Sequence, residues 1–381
     1  MNKHTVEDLK NLQSLSLETK IIMTKQRIKE WYESWKKYEI YNIETGKTRF
    51  ITSSSEPVLK ENECIDSVMD GQVYVSFSGG KDSTVLKHIV DSMYDDVPAV
   101  FVNTGLEYPE IQKFAMSQPN VITVRPEMRF DEVIKKYGYP VISKEVAQTI
   151  CEARKSIITG KYSYAMKKLN GERIDKNGNL SRYNIPQYKY LLYTDFAVSH
   201  KCCDVMKKNP AKKYEKQTGR KAYIATMASE SQIRRQKWLQ NGCNAFENGR
   251  PISQPLSFWT EQDILRYIKM YNVPYCSVYG DIVVSDKNNE QIDGQMTAFD
   301  ICNDYDGVLL KTTGCDRTGC IFCMFGCHLE KEPNRFQRLK KTHPRQYEYC
   351  IGGGEMVDGK WQPNKDGLGL GYVLDCIGVK Y

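Results

Sequence analysis

Apolar residues follow two rhythms along this chain. Near the start, Leu17, Ile21, Ile22 and Ile28 recur at roughly helical spacing, which predicts an amphipathic helix over 16–36. Residues 44–62 are polar, with Ser53-Ser54-Ser55 and Pro57, and read as a linker or surface insertion. The rhythm then changes. Short apolar runs at 73–77, 99–102 and 121–124 read as strands, the first of them buried, and helical patterns at 82–92, 109–116 and 130–137 separate or follow them. Such alternation predicts an α/β fold, a doubly wound and mostly parallel sheet with helices on both faces. Residues 160–190 are rich in Gly, Lys, Asn and Tyr without a period and read as a long surface excursion. The α/β pattern resumes at 222–226, and Thr260-Glu-Gln-Asp263 reads as a capping box opening a helix over 261–270. The expected order is an N-terminal helical segment and linker (1–62), an α/β domain (63–299) and a cysteine-rich C-terminal region (300–381).

With 381 residues the chain is long enough for one large domain or two modest ones. Its hydrophobic fraction of 40% and charged fraction of 27% are those of a soluble globular protein. No apolar run is long enough to span a bilayer, and the start lacks a secretory apolar stretch, so a cytoplasmic protein without membrane contact is expected. The net charge of +7 suits phosphate-rich ligands, small or polymeric. Thirteen cysteines, clustered in a chain expected to stay in a reducing compartment, argue for a metal site over disulfides.

The sharpest chemical signal is Ser78-Gly79-Gly80-Lys81-Asp82-Ser83, set between a predicted strand and a predicted helix. A helix start offers free N–H groups and the positive end of the dipole to an anion. Glycines allow a sharp turn and close approach of phosphate, Lys81 adds a full charge, and Ser78 and Ser83 add hydroxyls. The spacing is not that of a Walker A loop.

This hexapeptide resembles the signature of PP-loop ATP pyrophosphatases. Asn103-Thr104-Gly105-Leu106-Glu107-Tyr108-Pro109-Glu110 is similar to the second motif of the phosphoadenosine-phosphosulfate (PAPS) reductase family, and Pro255-Leu-Ser-Phe-Trp259-Thr-Glu-Gln-Asp263 to its Pro…Trp…Asp segment. The resemblance covers about 70–280 and implies an adenine-nucleotide α-hydrolase-like fold, with the ligand at the carboxyl ends of the strands. It implies ATP or PAPS, with Mg²⁺, held by residues 78–83, by Asn103, Thr104 and Gly105, and by Glu230, Ser231 and Arg234. Lys81 and Asp82 are the implied catalytic residues. One motif departs. Where the family often has Gly-x-Arg-x-x-Glu-Ser-x-x-Arg, this chain has Ala225-Thr-Met227-Ala-Ser-Glu230-Ser231-Gln-Ile-Arg234, so one arginine is missing.

Cys315, Cys320, Cys323 and Cys327 fall within 13 residues, and the Cys320-x-x-Cys323 spacing suits two thiolates on one metal or cluster. Cys202-Cys203 forms a second site. The segment around it resembles that of sulfonucleotide reductases carrying a four-iron cluster, which implies Cys202, Cys203, Cys320 and Cys323 as ligands of a 4Fe-4S cluster. A local set of Cys315, Cys320, Cys323 and Cys327, a mixed set, and zinc in place of iron remain open. Cys64, Cys151, Cys243, Cys276, Cys302 and Cys350 read as scattered thiols.

The basic run Lys201, Lys207, Lys208, Lys212, Lys213, Lys216, Arg220 and Lys221 is either a solvated surface or a nucleic-acid patch. PAPS reductases attack sulfur with a C-terminal cysteine inside Glu-Cys-Gly-x-His. Here Cys376 is followed by Ile377, and the histidine is absent. The resulting expectation is a family member that adenylates with ATP and transfers sulfur, with a sulfur donor or redox protein as partner and nucleic acid as a candidate acceptor. A sulfonucleotide reductase proper, and a non-catalytic nucleotide and Fe–S sensor, are the alternatives.

Overall fold

The computed structural model describes residues 2–247, 249–285 and 309–381. Cys302 lies outside them. The described chain forms two compact units that interleave along the sequence. One takes Met1–Val102, Tyr108–Val124 and Ala211–Thr318; the other takes Asn103–Glu107, Arg125–Pro210 and Gly319–Tyr381.

The first unit is built on a sheet with spatial order Val121–Val124, Ala99–Val102, Val73–Phe77, Lys221–Ile224, Ile252–Ser253, Asn244–Ala245. The first five strands run parallel and the sixth antiparallel. Val73, Val75 and Phe77 are buried on the central strand, as a run covered on both faces must be. The helices Lys81–Asp91 and Pro109–Ser117 follow the first two strands as expected, the second entered through Pro109 at its first turn. From Val73–Phe77 the chain moves outward on one side, and from Lys221–Ile224 outward on the other. The order therefore reverses between these two neighbours, and such a switch point opens a crevice at the carboxyl ends of the strands.

The expected N-terminal helix is Leu17–Ser34, capped by the Ser16 hydroxyl. It is not a detached segment. Leu17, Ile21, Ile28 and Trp31 belong to the main core of this unit. Lys20 on the same face is 1% exposed and donates to both oxygens of Asp263, at 3.0 and 2.8 Å. Thr260 caps the helix Glu261–Tyr271 in the predicted capping box.

The stretch 44–62, expected as a linker or surface insertion, is exposed but not irregular. It carries the strand Thr48–Ser53, which pairs antiparallel with Lys36–Asn42, and that strand pairs on its other edge with Glu63–Met69. Only Tyr38 and Ile40 are buried in this small sheet, and the outer strands are stabilised by polar contacts such as Arg49 Nε to Glu63 at 2.8 Å. A sheet so exposed leaves no apolar alternation to read.

The second unit holds the helix Lys144–Thr159, capped by Ser143, and the short helix Tyr164–Asn170 inside the stretch expected to be irregular. The Arg154 guanidinium ties the following turn by donating to the carbonyls of Leu191, Thr194 and Phe196. A two-residue parallel pair, Val141–Ile142 with Met324–Phe325, anchors the cysteine-rich segment. Among the described residues, no helix is long and apolar enough to cross a membrane.

Candidate functional site

The loop after Val73–Phe77 is self-supporting. Gly79 has φ +72°, and a Cβ there would press on Ile111 and Ala115 at 3.0–3.2 Å, so glycine is required on both counts. Ser83 Oγ accepts from the Ser78 N–H at 3.2 Å and lies 2.9 Å from Ser78 Oγ. Ser78 Oγ accepts from the Gly80 N–H at 3.3 Å. The Lys81 N–H, at the first turn of the helix, donates to the Tyr279 hydroxyl at 3.2 Å, and that hydroxyl is 2.7 Å from Thr318 Oγ1. Hydroxyls thus occupy the amides that an anion would use.

Lys81 is buried. Its ammonium donates to the Asp316 carbonyl at 2.9 Å and stands 3.0 Å from Glu261 and 3.7 Å from Asp82. Desolvation opposes its charge, but the carboxylates of Asp82 and Glu261 outweigh it and hold the lysine above its ordinary value. For Asp82 the balance is reversed: desolvation outweighs Lys81 and pushes the carboxyl up. Its Oδ1 is buried without a hydrogen-bond partner, an arrangement a cation would relieve. Glu230 follows the neighbouring strand, Lys221–Ile224. It accepts the Met227 N–H at 2.9 Å, pairs with Arg234 and lies 3.8 Å from Arg317. Ser231 caps the helix that carries Arg234. Residues 78–83, Glu230, Ser231 and Arg234 therefore belong to one unit and follow adjacent strands.

Glu261, Tyr279, Asp316 and Arg317 were not legible as partners of this loop. They sit far along the chain; Glu261 lies in the Pro…Trp…Asp segment and Asp316 and Arg317 beside Cys315, and neither motif, read alone, points to Lys81.

In the second unit, Asn103 Oδ1 accepts from the Gly105 N–H at 3.1 Å, and Thr104 donates to Glu107 at 2.7 Å, so this motif forms a tight turn. Cys202 and Cys203 precede a π-helical turn, Asp204–Lys208, of a kind often found at functional sites. Cys202 hydrogen-bonds Cys203 and is in electrostatic contact with Cys320 and Cys323; Cys203 is in contact with Cys323 as well. The Cys202 bond pushes the Cys203 thiol down and, with burial, raises Cys202. The Lys207 ammonium hydrogen-bonds Cys320 and lies near Cys203. Cys327 instead donates to the Met324 carbonyl at 3.0 Å.

Cys202, Cys203, Cys320 and Cys323 are thus brought together, and Cys327 meets only Cys323 of this set. Among the described residues, no group of three or more His, Cys, Asp or Glu side chains is placed to hold a metal ion. Four neighbouring thiols are the donor set of an iron–sulfur cluster and equally of a closed four-cysteine zinc site.

Four residues of the basic run at 201–221 have partners of their own. Lys207 turns to sulfur, Lys208 pairs with Asp204 at 2.9 Å, Arg220 donates to the carbonyls of Gly71 and Val73, and Lys221 lies over Trp35. Near the C-terminus, Cys376 is exposed. Partial burial and the carboxylates of Asp195 and Asp375 raise its thiol above the ordinary value.

A parallel sheet with a glycine-rich, lysine-bearing loop at its switch point defines an α/β protein of the PP-loop nucleotide-binding class. The family model of the phosphoadenosine phosphosulfate reductase domain matches residues 72–182 and 158–325, and the chain belongs to that family. An uncharacterized protein of Methanocaldococcus jannaschii is 31% identical over 84 residues, 21% of this chain and 20% of that protein, so the chain spans about a fifth of the length of this curated relative. Among solved structures, the phosphate complex of phosphoadenylyl-sulfate (PAPS) reductase from Candida auris is similar at 16% identity and a TM-score of 0.29, covering 54% of this chain and 75% of that one.

Proposed function

We propose that this protein is a cytoplasmic enzyme that uses ATP to adenylate an oxygen of its acceptor and then transfers sulfur to that position. In the first step the acceptor oxygen bonds to the α-phosphorus and pyrophosphate leaves. In the second a sulfur nucleophile displaces AMP. Such chemistry requires positioning and charge neutralisation, which Lys81 and, once the ligand displaces the hydroxyls on them, the amides of the loop would offer. Asp82, whose buried Oδ1 has the Lys81 ammonium at 3.7 Å but no hydrogen bond, would hold the Mg²⁺ that accompanies the nucleotide and neutralises its phosphates. Cys202, Cys203, Cys320 and Cys323 would hold a 4Fe-4S cluster, which would supply a redox or sulfur-handling group. Nucleic acid is the acceptor class that suits the net charge of +7.

The observation that carries this reading over sulfonucleotide reduction is the Cys376 thiol. A sulfur nucleophile needs a lowered pKa, and partial burial, with the carboxylates of Asp195 and Asp375, pushes this one the other way. The experiment compares pyrophosphate release from ATP, with tRNA and DNA offered as acceptors, against thioredoxin-coupled sulfite release from PAPS and adenylyl sulfate. Pyrophosphate release dependent on an acceptor is expected. Robust sulfite release that disappears in Cys376→Ser would overturn the proposal. Anaerobic protein should contain iron and acid-labile sulfide, whereas stoichiometric zinc without iron would refute the cluster.

A further inference from the structure

The segment after Lys221–Ile224 has Met227 where the related motif carries an arginine. Met227 is 3% exposed within the hydrophobic core, so its side chain makes no contact with an anion. Another guanidinium, remote in sequence, reaches Glu230 of this segment. Arg317 Nη1 lies 3.8 Å from Glu230 Oε1, and Glu230 is also the partner of Arg234.

The backbone around Arg317 is fixed against the phosphate loop on both sides. The Asp316 carbonyl accepts from the Lys81 ammonium at 2.9 Å, and Thr318 Oγ1 lies 2.7 Å from the Tyr279 hydroxyl that caps the Lys81 N–H. The Arg317 side chain itself is 62% exposed, which leaves the guanidinium able to turn toward a ligand. It is in electrostatic contact with Asp82 at the loop and with Arg234, whose charge it disfavours. Two like charges held this close, beside a lysine and a helix start, are suited to an anion that bridges them.

We propose that Arg317 makes the anionic contact that Met227 does not, and that with Arg234 and Lys81 it binds the outer phosphates of the nucleotide. The inference rests on the phosphate-loop reading. The ligand class is a nucleoside polyphosphate, or the phosphosulfate end of a sulfonucleotide, as opposed to a nucleoside monophosphate. Glu230 holds both guanidiniums in place and shares them with the incoming anion.

The test is calorimetric titration of the full chain with Mg·ATP and with AMP. Arg317→Ala should weaken ATP binding about tenfold, which corresponds to about 1.4 kcal/mol, and change AMP binding by less than about twofold. Arg317→Lys, which keeps the charge, should recover part of the loss and carries the test if the alanine chain is destabilised. Equal ATP affinity in all three chains overturns the role of Arg317 while leaving the phosphate loop standing. An unaltered chain that does not bind ATP removes both.

Discussion

The Tyr279 hydroxyl accepts the Lys81 N–H at 3.2 Å, so the amide at the start of the phosphate-loop helix already has a partner from a residue far along the chain. A phosphate oxygen seeking that amide must displace the phenol. Tyr279→Phe removes the competitor and leaves a buried N–H without an acceptor, a change of about 1 kcal/mol in each direction. The variant is expected to bind ATP several-fold more tightly and to melt at a lower temperature. Weaker ATP binding would mean that Tyr279 contacts the ligand.

Lys20 and Asp263 form a buried pair joining the Leu17–Ser34 helix to the Glu261–Tyr271 helix. Lys20→Met leaves a buried carboxylate that keeps its hydrogen bonds from Thr260 but loses its ammonium. A loss of about 3 kcal/mol in urea unfolding is expected, with the thermal midpoint falling accordingly. A loss below about 1 kcal/mol would show the pair to be dispensable.

Asp82 illustrates a cost built into the site. Desolvation raises its carboxyl above the unfolded value, so the folded state holds this proton more tightly and stability falls as pH rises above the ordinary carboxylate range. Asp82→Asn should therefore gain on the parent in melting temperature as pH rises from the ordinary carboxylate range, while Mg·ATP binding weakens. A variant that loses ground to the parent as pH rises would contradict this balance.

Cys376 is expected to react slowly with iodoacetamide at neutral pH, no faster than a free cysteine, because burial and the carboxylates of Asp195 and Asp375 oppose its thiolate. Mass spectrometry of the C-terminal peptide measures the rate. Rapid alkylation would indicate an activated thiol and favour the reductase reading.

The βα alternation and the phosphate loop were legible because both are local. A strand buried on two faces must be a continuous apolar run, and the loop needs its glycines and lysine in sequence. The capping box at Thr260 was legible for the same reason. The small sheet at 36–69 was not, because its outer strands are exposed and polar. Nor was the setting of Lys81, whose partners Glu261, Tyr279 and Asp316 arrive from segments about 180 to 235 positions away. Lys207 misled for a related reason: in sequence it is one lysine in a basic run, and only the fold turns its ammonium to Cys320.

The most direct test of the central claim, that an adenine nucleotide binds at Ser78–Ser83, is calorimetric titration of Mg·ATP into the unaltered chain and into Lys81→Ala. The account predicts one site per chain and at least about a tenfold weaker affinity in the variant, with its circular dichroism unchanged. Identical affinities, or no binding to the unaltered chain, would contradict it.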